Sequence, residues 1–132
     1  MNTFRAVLVV DNYEYALQDL LFGAHQMPRS TGGVSGAPVV SGDVTFKLVA
    51  PADDVLEYWG YSENVVKDVS VVLYESETEG VYKTYLFKQA QCVTLQNHFS
   101  GNGVAGSYTV SLQITCDEIL SNGKTLYKAS WS

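Results

Sequence analysis

The sequence predicts a mainly β protein, an antiparallel barrel of about eight strands with one short α-helix. From Tyr108 to Cys116 the alternation is clean, with Tyr108, Val110, Leu112, Ile114 and Cys116 on one side and Thr109, Ser111, Gln113 and Thr115 on the other. That period of two belongs to a strand with one dry and one polar face. Asp11-Asn12 and Asn122-Gly123 each stand between two strand patterns, and these residue types accept the left-handed backbone that a two-residue hairpin needs. Only one segment reads as a helix. Short strands joined mostly by tight turns close into a barrel, which removes exposed sheet edges.

The elements follow in order. A first strand, Phe4 to Val10, turns through Asp11-Asn12 into a second from Tyr13 to about His25. Apolar residues on both faces of the first strand leave its core face open. From Gln26 to Gly42 the chain holds two of its three prolines and four of its eleven glycines, which marks a long loop. A third strand places Val44, Phe46 and Leu48 on one face. Ala50-Pro51 is expected to open the helix, because Pro51 suits a first turn, Asp53 and Asp54 suit its positive end, and Gly60 suits a stop. Leu56 and Trp59, three apart, would pin it to the sheet. Val69 to Tyr74 and Val81 to Lys88 form a hairpin around E-S-E-T-E-G, whose carboxylates must be in water. A further strand, Ala90 to Phe99, has weaker alternation, with Gln91, Val93, Leu95, Asn97 and Phe99 on one side. A glycine-rich loop, Ser100 to Ser107, leads to the alternating strand, and Asn122-Gly123 returns the last strand, Thr125 to Trp131.

Composition narrows the function. At 132 residues the chain reads as a single domain over 1–132, able to bury roughly two-thirds of its unfolded surface. With 46% hydrophobic and 17% charged residues it is folded rather than disordered, and its apolar runs are too short for a spanning helix. The N-terminal apolar run ends at Asp11 without a cleavage-like site, so no secretory signal is read. A net charge of −6 with scattered basic residues argues against nucleic acid. Residues 53–79 carry eight carboxylates against one basic residue, Lys67; a solvated acidic face is the simpler reading, and a patch for a basic partner the alternative. Cys92 and Cys116, in separate strands, read as reduced buried thiols, and no C-x-x-C spacing points to a metal.

Catalytic motifs are absent. Gly101-Asn102-Gly103-Val104-Ala105-Gly106 spells G-x-G-x-x-G, yet a strand follows where the dinucleotide fingerprint needs a helix. His25 and His98 have no nucleophile or carboxylate at motif spacing, and Asp53-Asp54 and Asp117-Glu118 are adjacent pairs that diverge. The expectation is therefore no enzyme, no cofactor and no metal.

A family resemblance lies in Phe87, Ala90, Cys92, Val93 and Phe99, which form F-x-x-A-x-C-V-x-x-x-x-x-F ahead of a glycine loop and the alternating strand. This resembles the tube protein of bacterial type VI secretion systems, Hcp or TssD, in the divergent branch found in Bacteroidota. Asp53-Asp54-Val55-Leu56-Glu57-Tyr58-Trp59 resembles that branch's acidic helix start, Gly36-Ala37-Pro38 with Ser41-Gly42-Asp43 its loop elements, and Trp131 its terminal tryptophan. Ala37 stands where the branch usually has arginine, and the loop differs in detail. The resemblance implies six copies closed into a ring, rings stacked into a hollow tube, and sheath, spike and effector proteins as partners. It also implies a bacterial cytoplasmic origin with export on firing, and no membrane insertion. In the loop Gln26 to Val40, Met27, Pro28, Arg29, Val34, Gly36, Pro38 and Val39 would contact the next ring. Leu56, Trp59, Phe87, Cys92, Phe99 and Trp131 would be structural anchors. Two other readings compete: a small-molecule or glycan-binding barrel lined by some of the nine tyrosines and two tryptophans, and a tail-tube subunit of a phage-like contractile particle.

Overall fold

The structure, a computed structural model, describes residues 3–23, 43–102 and 105–128. Strand β1 (Phe4–Val10) pairs antiparallel with β2 (Tyr13–Phe22), with Val10 opposite Tyr13. Asp11 and Asn12 between them have φ of 51° and 70°, so both central residues of the turn are left-handed as the hairpin requires. Leu8 and Val10 face the core. The second strand ends at Phe22, before Gly23, and the last two residues of its expected span, 24–25, lie outside the described residues.

β3 (Val44–Val49) pairs with β2 and with β6 (Ala105–Thr115), and Val44, Phe46 and Leu48 are all buried. β4 (Val66–Glu75) pairs with β1 and with β5 (Val81–Asn102). Following the pairings β1, β2, β3, β6, β5, β4 and back to β1 closes a ring of six strands, while β7 (Glu118–Ser121) and β8 (Lys124–Lys128) form a hairpin on the flank of β5. The tip of that hairpin is Asn122-Gly123, at φ 49° and 86°, and Asn122 accepts a bond from the Thr84 N–H through its side chain (2.9 Å).

The described residues form eight strands, but their partition differs from the sequence expectation. The two strands expected at Val81 to Lys88 and Ala90 to Phe99 are one strand of 22 residues. Gln89 sits within it at φ 51°, its N–H donating to Asp68 Oδ1 at 2.9 Å, and the β4 register slips between Lys67 and Val69. This bulge bends the strand without ending it. On the other side of the same corner the alternating strand does break: β6 ends at Thr115, and β7 resumes at Glu118 after Cys116 and Asp117. The Asp117 N–H still donates to the Lys88 carbonyl at 3.0 Å, so three strands turn together at one level.

The interior is filled by side chains. Phe87 meets Phe22 and Phe46 edge-on at 5.5 and 6.2 Å between ring centres, and Leu8, Leu48, Leu112 and Ile114 complete the centre. Helix α1 (Val55–Tyr61) lies against this core through Leu56 and Trp59, both buried, and Trp59 Nε1 donates to the Val65 carbonyl at 3.2 Å. It starts later than expected. Pro51 lies ahead of it, Asp54 occupies the position before the first turn, and Asp53 Oδ1 accepts from the Val55 N–H (3.0 Å) and the Tyr15 hydroxyl (2.8 Å). Gly60 is not the stop either, since the helix runs on to Tyr61. A Cβ at position 60 would stand 2.6 Å from Leu95 Cδ1, so glycine there permits helix and β5 to approach closely.

Candidate assembly surface

The corner at Gln89 divides β5 into two environments. Up to Gln91 it has β4 on one edge, with β7 on the other from Tyr85 to Lys88 and β6 at Gln91. From Cys92 onward only β6 pairs with it, through Asn102 opposite Ala105, so eleven residues of strand carry no partner on their second edge among the described residues. The glycine loop expected from Ser100 to Ser107 is mostly ladder. β2 has the mirror-image situation: β1 covers it as far as Leu17, and beyond that only β3 pairs with it among the described residues.

Among the described residues a four-stranded sheet, β2-β3-β6-β5, therefore ends in an open edge at each border. Its inner face carries Phe46, Leu48, Leu112 and Ile114. Its outer face follows from the register: Asp19, Lys47, Ser111 and Gln96 form one row, Leu21, Thr45, Gln113 and Thr94 the next, and Val49, Thr109 and His98 the third. Hydroxyls and amides dominate these rows, and the two formal charges in them, Asp19 and Lys47, are opposite in sign and adjacent. Open edges of this kind are templates for another strand.

Beyond the barrel the β5–β6 ribbon exposes both faces, and a two-stranded ribbon alone is marginal in water. Phe99 and Tyr108 stack edge-on there at 6.3 Å, with the Asn97 amide donating to the Tyr108 hydroxyl at 3.0 Å. Phe99, expected as a structural anchor, is 68% exposed and packs on Tyr108 outside the core: the insertion of Val93 between Cys92 and Thr94 shifts the faces, and the strand has by then left the core. Leu56, Trp59, Phe87 and Cys92 are buried. Met27, Pro28, Arg29, Val34, Gly36, Pro38, Val39 and Trp131 lie outside the described residues.

Chemistry has little to work with. Among the described residues no three His, Cys, Asp or Glu side chains are grouped to hold a metal ion. Cys92 and Cys116 are buried, reduced thiols; burial, then the nearby Asp117 and Asp43, push Cys116 up to about 12, which keeps it protonated and unreactive at neutral pH. Burial and the bond to Asp53 raise Tyr15 well above the usual phenol range, so this latch between β2 and the helix start stays neutral too. A surface depression of about 310 Å³ at the corner is lined by Asp68, Lys88, Gln89, Asp117, Glu118 and Lys128, with no aromatic side chain for a sugar or apolar ligand. No helix among the described residues is long and apolar enough to cross a membrane.

Sequence reading had missed the open edges, because an edge is defined by what fails to pair with it. It had also passed over Tyr58 and Tyr61, whose spacing on α1 opposite Leu56 and Trp59 was the available signal.

Comparison with known proteins agrees with this geometry. Hcp1 from Flavobacterium johnsoniae superposes with a TM-score of 0.80 at 16% identity, covering 94% of this chain and 99% of that one. Hcp1 from Salmonella typhimurium gives 0.70 at 14% identity, over 96% and 92% of the two chains. A chain of the sheath-tube complex of an extracellular contractile injection system, PVC, gives 0.65 at 14% identity, over 89% and 87%. No curated protein sequence matches. The family model for the hemolysin coregulated protein Hcp (TssD) matches residues 2–132, and this chain, an antiparallel β protein with one helix, therefore belongs to the Hcp (TssD) family.

Proposed function

We propose that this chain, a tube subunit by family, builds its tube by edge pairing: the open edge of β5 on one copy takes the open edge of β2 on the next. The two edges are different surfaces, so the contact is head-to-tail, and such a contact repeats until rotation closes it. Six copies make the ring, each adding four strands to a common wall. The observation that carries this reading is the pair of unpartnered edges at opposite borders of one sheet. The hydroxyl- and amide-rich outer face then lines the lumen, where a nearly neutral surface lets effector proteins pass without strong adhesion. The loop Gln26 to Val40 supplies the contacts between rings. A sheath surrounds the tube, a spike caps it, and the bacterial cytoplasm is where it forms before export. The work is packing and propulsion, with no reaction catalysed.

Proline variants test the pairing. Along β5 the N–H groups point alternately to β6 and to the open edge, so of Gln96→Pro and Asn97→Pro only one disturbs the internal ladder. The other is expected to fold with a near-normal melting temperature and to remain a monomer by light scattering, while the parent chain gives a ring by light scattering and electron microscopy. Rings from both variants would refute the edge pairing.

A further inference from the structure

Helix α1 carries a second surface that edge pairing leaves uncovered. Tyr58 and Tyr61 are 77% and 74% exposed, three residues apart on a helix of seven. With Asp54, Glu57 and Ser62 they line a depression of about 350 Å³. Two large aromatic side chains side by side in water mark an interaction site more often than a solvated face. Their surroundings define the occupant. Residues 50–66 contain no Lys, Arg or His, and among the described residues neither Asp54 nor Glu57 belongs to a salt bridge. Asp53 is different, being engaged by the Tyr15 hydroxyl and the Val55 N–H. An aromatic face beside carboxylates is the environment that holds a guanidinium, which stacks on the ring and pairs with the acid through its planar fork. Lysine, a strongly hydrated point charge without the planar fork, can approach a ring but cannot stack on it and pair bidentately at once.

Position says where this partner stands. Leu56 and Trp59 seat α1 on the core side of the four-stranded sheet, and Gly60 brings it against Leu95. Tyr58 and Tyr61 therefore point away from the polar wall. If that wall faces the lumen, as the ring reading holds and on which this step rests, α1 faces the outside of the tube. We propose that the outer face of α1 is the docking site for an arginine-bearing segment of the protein that encloses the tube. The cation inserts between the two tyrosines and pairs with Glu57 or Asp54.

Fluorescence anisotropy with the full chain tests this, using a labelled, end-capped peptide carrying two arginines, a two-lysine counterpart and a two-glutamate counterpart. The arginine peptide is expected to bind saturably, about five-fold or more tighter than the lysine peptide, and the glutamate peptide not at all. The Tyr58→Ser/Tyr61→Ser variant should erase the preference for arginine, whereas Asp54→Asn/Glu57→Gln should weaken both cationic peptides. Glu75→Gln/Glu77→Gln, in the acidic β4–β5 turn, should change neither. Equal binding by the tyrosine variant, or an equal loss in the turn variant, would overturn the proposal by reducing it to general charge. Loss of the ring in the tyrosine variant would overturn it as well, since the occupant would then be a second copy. A parent chain that never forms rings yet shows the expected peptide pattern would defeat the ring reading while upholding the docking face.

Discussion

The two halves of β5 show how one strand divides stability from assembly. Through the Gln89 corner, Val81 to Gln91 pairs with β4, has β7 on its other edge from Tyr85 to Lys88 and β6 at Gln91, and buries Phe87 and Ala90 completely. After it, Cys92 to Asn102 is bonded along one edge only among the described residues, and Val93 and Phe99 stand in water. Backbone pairing and side-chain burial fall off together. The first half holds the chain in its fold, and in the proposed edge pairing the second is offered to a neighbour; substitutions should therefore separate cleanly into those that unfold the subunit and those that leave it folded but alone.

The largest effect belongs to the first half. Phe87 touches Phe22, Phe46 and Tyr85 at the centre of the barrel, and Phe87→Ala should cost about 3–5 kcal/mol through lost burial and the cavity left behind. Urea unfolding would show it as a lower midpoint at unchanged slope. A loss below about 1 kcal/mol would mean that the core is not centred where the packing puts it.

At the seam between the halves and the helix, Gly60→Ala tests close approach. Alanine is worth about 1 kcal/mol over glycine in a helix interior, so a helix free of its neighbour would be stabilised. Here the new methyl would meet Leu95 Cβ at 2.7 Å as well as Cδ1, and overpacking of about 1–3 kcal/mol should outweigh the gain. Adding Leu95→Ala should return part of the loss, so the double variant should be less destabilised than the sum of the two single variants. Additive losses in thermal unfolding would break the link between α1 and β5.

These cases also separate what was legible in the sequence from what was not. Turn chemistry is local, so Asp11-Asn12 and Asn122-Gly123 located both hairpins, and the period-two run from Tyr108 to Cys116 located the core face for every member but Tyr108, which is exposed. The short motif through Phe87, Ala90 and Cys92 was legible for the same reason, since all three side chains are buried and their spacing is constrained by packing. The corner was not legible. A left-handed glutamine inside a strand has no composition signal, so the reversal of faces between Phe87 and Ala90 read as a strand end. Gly60 was misread because a glycine that ends a helix and one that admits a neighbour look alike in sequence. The open edges of β2 and β5 depend on pairings between distant segments, and no local pattern encodes them.

Alkaline pH should weaken the fold through groups next to the corner. Cys116 is held protonated in the fold, at about 12, against an ordinary value of 9.0. Between those values the unfolded chain has released a proton that the folded chain keeps, so stability falls as pH rises through that window and is fully retained below it. Cys92, also raised by burial, adds to the same slope. Cys116→Ala should flatten the decline in melting temperature above pH 9 without changing its value at pH 7 in the same direction. An unchanged alkaline slope would assign the effect to Tyr15 and Tyr127, which burial also raises.

The smallest effect on the subunit should come from the second half. Phe99→Ser removes a ring that touches Tyr108 and shelters Gly101 but leaves the core untouched, so its cost in unfolding should be about 1 kcal/mol or less. Its effect on assembly should be far larger, because an aromatic side chain on an open ribbon gains burial only when a neighbour covers it. Light scattering at equal concentration should show the mass falling toward a single chain while the melting temperature of that chain barely moves. If the ring persists at full mass, the ribbon tip lies outside the interface and the contact is confined to the strand edge nearer the corner. If instead the subunit unfolds, Phe99 serves the fold after all, and the division of β5 into a folding half and an assembling half fails at its clearest point.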